Sequence, residues 1–139
     1  MPKTKSLSSL GLNTVNSNDP VISKIVFDSR QAVPGCLFAA LKGGSVHGAE
    51  FVEAALDAGA SAILTDEEGE LILNGLKIDA LVVKKDARRA LAKAVSLFME
   101  NQPETIVAVT GTNGKTSVTT FCRQLWNEVG IGAINIGTT

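Results

Sequence analysis

The sequence predicts an α/β protein: a small α/β domain over residues 1–102, followed over residues 103–139 by the first strand-loop-helix-strand of a parallel-sheet P-loop domain. Three observations predict it. From Lys24 onward short apolar runs alternate with helical patterns; Gln102-Pro103 interrupts that rhythm; and beyond the proline a β-branched run leads directly into a loop of glycines and a lysine.

The elements follow in order. Ser23–Asp28 (SKIVFD) and Cys36–Leu41 (CLFAAL) read as strands joined by a turn at Pro34-Gly35. Ala49–Ala58 reads as a helix, with Phe51, Val52, Ala55 and Leu56 at three-and-four spacing, and is expected to pack on the sheet through Phe51. Ala62–Thr65 and Leu81–Val83 read as further strands, and Asp66–Asp79 between them shows no clear pattern. Asp86 is placed to cap a helix running to about Met99, whose apolar face is Ala87, Ala90, Leu91, Ala94, Val95 and Phe98. Pro103 disfavours helical geometry at Gln102 and marks the domain boundary.

Composition limits the function classes. With 45% hydrophobic and 19% charged residues the chain can bury a core, and a formal net charge of -1 with scattered lysines and arginines offers no field for a nucleic-acid backbone. No stretch has the length of a membrane span, and Met1–Asn13 is too short and polar for a signal-peptide core, so neither nucleic acid nor membrane is expected as a partner. Cys36 and Cys122 have no Cys or His at metal-ligand spacing and read as buried thiols, which fits a cytoplasmic location.

The chemistry lies beyond the boundary. Thr105–Thr110 (TIVAVT) reads as a buried parallel strand, and Gly111, Thr112, Asn113, Gly114, Lys115, Thr116 and Ser117 follow it. The glycines let successive N–H groups turn inward toward phosphate oxygens; Lys115 can reach terminal phosphates, and Thr116 can offer its hydroxyl to Mg²⁺. The next helix adds its N-terminal partial charge, shows an apolar face of Val118, Phe121, Cys122, Leu125, Trp126 and Val129, and ends near Gly130. Trp126 falls on that stripe and is assigned to core packing. The general phosphate-loop pattern has its first glycine at the position of Val109, whereas here it stands at Gly111. An ordinary strand-to-helix turn with a solvated lysine is the alternative.

TGTNGKTS at Thr110–Ser117 closely resembles the ATP-binding motif of the Mur ligase family. Asp28-Ser29-Arg30, PGCLFAALKG at Pro34–Gly43, HGAEF at His47–Phe51 and GASAIL at Gly59–Leu64 resemble the family's N-terminal uridine-nucleotide-binding domain. The resemblance spans all but about the first twenty residues. It implies an ATP-dependent amide-bond ligase of peptidoglycan precursor synthesis, with ATP and Mg²⁺ as cofactors, which activates a carboxylate as an acyl phosphate that an amine then displaces. The Gly137-Thr138 pair resembles the member that adds the third residue, meso-diaminopimelate or L-lysine, to UDP-N-acetylmuramoyl-L-alanyl-D-glutamate; the D-Ala-D-Ala-adding member is the alternative.

Carried over position by position, the resemblance implies ATP-phosphate contacts at Gly111, Thr112, Asn113, Gly114, Lys115, Thr116 and Ser117, with Lys115 catalytic and Thr116 on the metal. It implies UDP-sugar contacts at Phe27, Ser29, Gly44, Ser45 and Val46, and a substrate loop at Thr138 and Thr139. Asp28-Ser29-Arg30 also reads as a polar strand end with a local ion pair. His47 departs from the family, which usually has Asp before this glycine, and without a partner at useful spacing it is expected in a surface or loop role. Family members have three domains and are expected to be monomeric. The chain is therefore expected to be a fragment, inactive alone because phosphoryl transfer needs several positioned groups at once. A simple nucleotide hydrolase or kinase would leave residues 28–64 without a task, and a non-catalytic UDP-sugar-binding remnant is the other alternative.

Overall fold

The computed structural model describes residues 4–137, so Thr138 and Thr139 lie outside the described residues. The chain divides into two compact units, Met1–Gln102 and Pro103–Thr139. In the first lie β1 (Lys5–Ser6), β2 (Val21–Ile22), β3 (Lys24–Val26), β4 (Cys36–Ala39), α1 (Val52–Asp57), β5 (Ala62–Thr65), α2 (Glu67–Ile72), β6 (Leu81–Val83) and α3 (Ala87–Met99). In the second lies α4 (Lys115–Glu128).

Strands β3, β4, β5 and β6 form a parallel sheet in that order, with Val26 opposite Phe38, Phe38 opposite Ile63, and Leu64 opposite Val82. The two central strands, CLFA and AILT, are buried along their whole length, as a parallel sheet covered on both faces requires. Successive side chains divide between those faces. Leu37, Ala62, Leu64 and Val82 pack with Ala87, Ala94 and Phe98 of α3; Val26, Cys36, Phe38 and Ile63 pack with Val52 and Ala55 of α1 and Leu73 just after α2.

The N-terminal residues, to which the sequence reading assigned no element and which the resemblance does not reach, complete the α3 face. β1 pairs antiparallel with β2, and Leu7, Leu10 and Leu12 are fully buried in the α3 core. Asp19 fixes the turn by accepting from the Ser8 hydroxyl at 2.6 Å and the Ser8 N–H at 2.7 Å; these bonds hold its carboxyl below the usual aspartate range. Lys5 closes the other end, donating to the Leu97 carbonyl at 2.6 Å and pairing with Glu100 at 2.7 Å.

Several expectations change in detail. Gly48–Phe51 is a 3-10 turn rather than the first turn of α1, and its tighter winding shifts the helical phase. Val52 and Ala55 face the sheet, while Phe51 is 44% exposed and does not pack there. The segment without a clear pattern contains α2, capped by Asp66, whose Oδ1 accepts from Gly69 N–H at 2.9 Å, and Glu67, Glu68 and Glu70 suit the positive end of its dipole. Glycine at 69 discourages a helical reading, yet space demands it: a Cβ there would meet Thr65 Oγ1 at 2.0 Å. α3 matches its expected span and its Asp86 cap, which accepts from Arg89 N–H at 3.0 Å.

In the second unit, residues 105–110 are not hydrogen-bonded into a sheet among the described residues, and residues 131–136 likewise form no strand. A strand exists only by pairing with a neighbour, so β-branched composition alone does not produce one. The stripe on α4 forms as spaced but is not a core. Trp126 is 37% exposed, Phe121, Leu125 and Val129 are more exposed, and Cys122 is half-buried, unlike the fully buried Cys36. The helix ends as expected, with Gly130 N–H donating to Asn127 O at 3.1 Å and Ile131 N–H to Trp126 O at 2.8 Å.

Two stability predictions follow from this packing. Leu10→Ala is expected to cost about 3 kcal/mol, the scale of a fully buried leucine, read as a lower urea midpoint; an unchanged midpoint would show the N-terminal segment to be a dispensable tail. Burial pushes the Asp66 carboxyl up, but the Gly69 N–H and His47 outweigh it and hold the group below the ordinary aspartate value. The unfolded chain then takes up this proton first as pH falls, so the Asp66 contribution is present above the ordinary aspartate range and lost below it. Asp66→Asn should flatten the acid limb of a stability-against-pH curve, and an identical limb would contradict the assignment.

Candidate functional site

In a parallel sheet the carboxyl ends of all strands share one edge, and ligands gather there. Phe27, Asp28, Ser29 and Arg30 leave the end of β3, and residues 42–47 leave the end of its neighbour β4. The topology thus brings all five UDP-sugar candidates of the first unit to one edge. Phe27 is 79% exposed, an apolar ring held in solvent at the strand end. Ser29 is half-buried and begins a 3-10 turn that Asp28 caps by accepting from Arg30 N–H at 3.0 Å. Arg30 returns its guanidinium to the same carboxylate at 2.7 Å, which holds Asp28 below the usual aspartate range and raises Arg30. The local ion pair expected as the alternative is therefore present, and it orients the turn that carries Ser29.

Gly44, Ser45 and Val46 form the exposed tip of a tight turn. Gly43 N–H donates to Val46 O at 3.0 Å, and Lys42 and His47 form an antiparallel bridge at its stem. The ammonium of Lys42 pairs with Glu68 of α2 at 2.8 Å, a bond that raises its pKa, while Arg88 of α3 donates to the Lys42 carbonyl.

His47 is where sequence reasoning was furthest from the structure. It is 5% exposed, not on the surface, and it has partners: Ala49 N–H donates to Nδ1 at 3.0 Å, and Nε2 lies 3.0 Å from Asp66 Oδ1. The partner stands nineteen residues away on the far side of α1, so only the parallel pairing of β4 and β5 unites them.

In the second unit Gly111–Ser117 forms a loop entering α4. Gly111 at φ 151° and Gly114 at φ 75° hold left-handed backbone that other residues resist, so the glycines serve curvature. Gly114 is the N-cap and has no side chain to cap the first turn of α4, a loop-to-helix geometry of the kind at which phosphate groups meet backbone N–H donors. Lys115 folds across the loop to donate to the Gly111 carbonyl and, at 3.5 Å, to the Thr112 carbonyl. Its ammonium is thereby held against the backbone of the loop. The Thr119 hydroxyl donates back to Thr116 O at 2.9 Å and stiffens the first turn. These features fit a polyphosphate. Among the described residues no group of three or more His, Cys, Asp or Glu could hold a metal, and Thr116, to which the resemblance gives a metal contact, lies in the first turn of α4.

Residues 21–106 match the Mur ligase family, catalytic domain. The UDP-N-acetylmuramoyl-L-alanyl-D-glutamate--2,6-diaminopimelate ligase of Caulobacter vibrioides is 49% identical over 135 residues, covering 97% of this chain and 27% of that protein. The ligase of the same name from Rhizobium meliloti is 48% identical over 118 residues, covering 85% and 24%. The chain thus spans about a quarter of the length of the curated relatives it matches. Among solved structures, MurF ligase from Thermotoga maritima in complex with ADP is 28% identical with a TM-score of 0.61, over 76% of this chain and 23% of that one. MurF from Acinetobacter baumannii shares the fold at a TM-score of 0.65 and 23% identity, over 91% and 29%. The four-stranded sheet and the carboxyl edge that carries Phe27, Ser29 and the 43–46 turn lie wholly within the matched residues, and the chain belongs to the Mur ligase family.

Proposed function

We propose that the chain supplies the uridine-nucleotide-binding domain and the ATP phosphate loop of a ligase that adds diaminopimelate to UDP-N-acetylmuramoyl-L-alanyl-D-glutamate. The observation that carries this reading is the 49% identity to the Caulobacter ligase, which runs through both the first unit and the glycine loop. The 28% identity to the Thermotoga MurF ligase, together with the fold shared with the D-alanyl-D-alanyl ligase of Acinetobacter baumannii, keeps the D-Ala-D-Ala-adding reaction as the second reading. Residues 1–102 form the first domain and residues 103–139 begin the second. The free thiols of Cys36 and Cys122 are in keeping with a cytoplasmic protein.

ATP, when bound, converts the substrate carboxylate into an acyl phosphate with ADP as leaving group, and the amino acid's amine then displaces phosphate. The residues of this chain bind and position. Phe27 offers a flat apolar face to the uracil, Ser29 a hydroxyl to the uridine end, and the Gly44-Ser45-Val46 tip its backbone to the diphosphate. Gly111–Ser117 cradles the triphosphate with inward N–H groups. Lys115 exchanges its loop carbonyls for the terminal phosphate oxygens and balances charge as it develops, while the Thr116 hydroxyl serves as a Mg²⁺ ligand.

The isolated chain is expected to bind uridine diphosphate by calorimetry but to release no phosphate with diaminopimelate present. Substituted for the matching quarter of the Caulobacter ligase, it should support diaminopimelate-dependent phosphate release, and Lys115→Ala in that chimera should reduce the rate at least about a thousandfold. A folded chimera that is inactive, or one indifferent to Lys115→Ala, would refute the assignment.

A further inference from the structure

We propose that His47 is a positioning residue, which through its bond to Asp66 fixes the stem of the Gly43–Val46 turn for the diphosphate of a uridine nucleotide; this rests on the reading of that turn given above. The tip of the turn is exposed, and its geometry depends on where its two stem residues are held. Lys42 is held by Glu68 and Arg88, from α2 and α3. His47 is held by Asp66, the residue that caps α2. Both arms of the stem are therefore anchored to α2.

The ring does two separable things. Because Ala49 N–H donates to Nδ1, that nitrogen is an acceptor, so the proton of the neutral ring is on Nε2 and is donated to Asp66 Oδ1. The Nδ1 bond caps a 3-10 turn; the Nε2 bond ties that turn to α2. An ionised aspartate at this position could make the cap but would have no proton to give Asp66. The neighbourhood is also built around the ring: a Cβ at residue 69 would lie 2.6 Å from His47 Cε1. Glycine 69 thus leaves room for the imidazole as well as for Thr65.

The two bonds can be removed one at a time in the 139-residue chain. His47→Asn keeps an acceptor at the Nδ1 position and is too short to reach Asp66, whereas His47→Gln keeps a donor near the Nε2 position. Uridine diphosphate is the probe for calorimetry, amide exchange at Gly43 reads the turn directly, and the thermal midpoint reads the fold. His47→Asn is expected to leave the midpoint within a few degrees, to speed Gly43 exchange about tenfold and to weaken uridine diphosphate binding about tenfold, with His47→Gln recovering most of both losses. Unchanged Gly43 exchange in His47→Asn, or equal losses in the two variants, would overturn the proposal. A wild-type chain that binds no uridine diphosphate would overturn the nucleotide reading, and Gly43 exchange would then decide the tether alone.

Discussion

Burial of both faces of a parallel sheet is the constraint on which the rest of this structure depends. A parallel strand cannot leave one side in water while its connections cross over the faces, so CLFA and AILT are apolar at nearly every position. The one polar side chain in those two strands, Thr65, is satisfied by donating to the Ala40 carbonyl at 2.8 Å. Once the faces are sealed by α1, α2, α3 and the N-terminal segment, the polar residues that leave the strands can gather at the sheet's carboxyl edge. Asp28, Lys42, His47 and Asp66 all stand there: Asp28 binds Arg30 in the turn that carries Ser29, while the Lys42–His47 bridge and the His47–Asp66 bond shape the turn at residues 44–46.

Much of this was legible because it is local. The strands Ala62–Thr65 and Leu81–Val83 and the helix Ala87–Met99 announce themselves by composition, period and an Asp cap, all read within a dozen residues. What stayed hidden needs knowledge of distant contacts. Leu7, Leu10 and Leu12 look like scattered leucines among serines until β2 supplies the partner strand. α2 is disguised by Gly69, which serves the packing of Thr65 and His47 rather than the helix. Phe51 failed because one 3-10 turn shifts phase, and Trp126 because an apolar stripe shows where a helix would pack without showing that anything packs there.

The candidate site shows the same division. The turn of the glycine loop was readable in order, since its residues are contiguous and its curvature is set by its own Gly111 and Gly114. His47 was not, because its meaning resides in Asp66, and a partner nineteen positions away leaves no periodic trace. The available signal was a histidine, able to donate, at a position where the resemblance implies a carboxylate, which asks which acceptor it serves.

The bond from Lys5 to the Leu97 carbonyl spans 92 positions and joins the first strand of the unit to the last turn of its last helix. A contact of that sequence separation is among the last a chain can form during synthesis, since loop closure must wait for both ends. At Glu100, beside this clasp, the backbone takes φ 63° in a tight three-residue turn closed by Asn101 N–H to Met99 O at 2.7 Å. The clasp therefore exists only in a chain that extends past Leu97, and the same span closes the core, where Leu7, Leu10 and Leu12 share one cluster with Ala94 and Phe98 of α3.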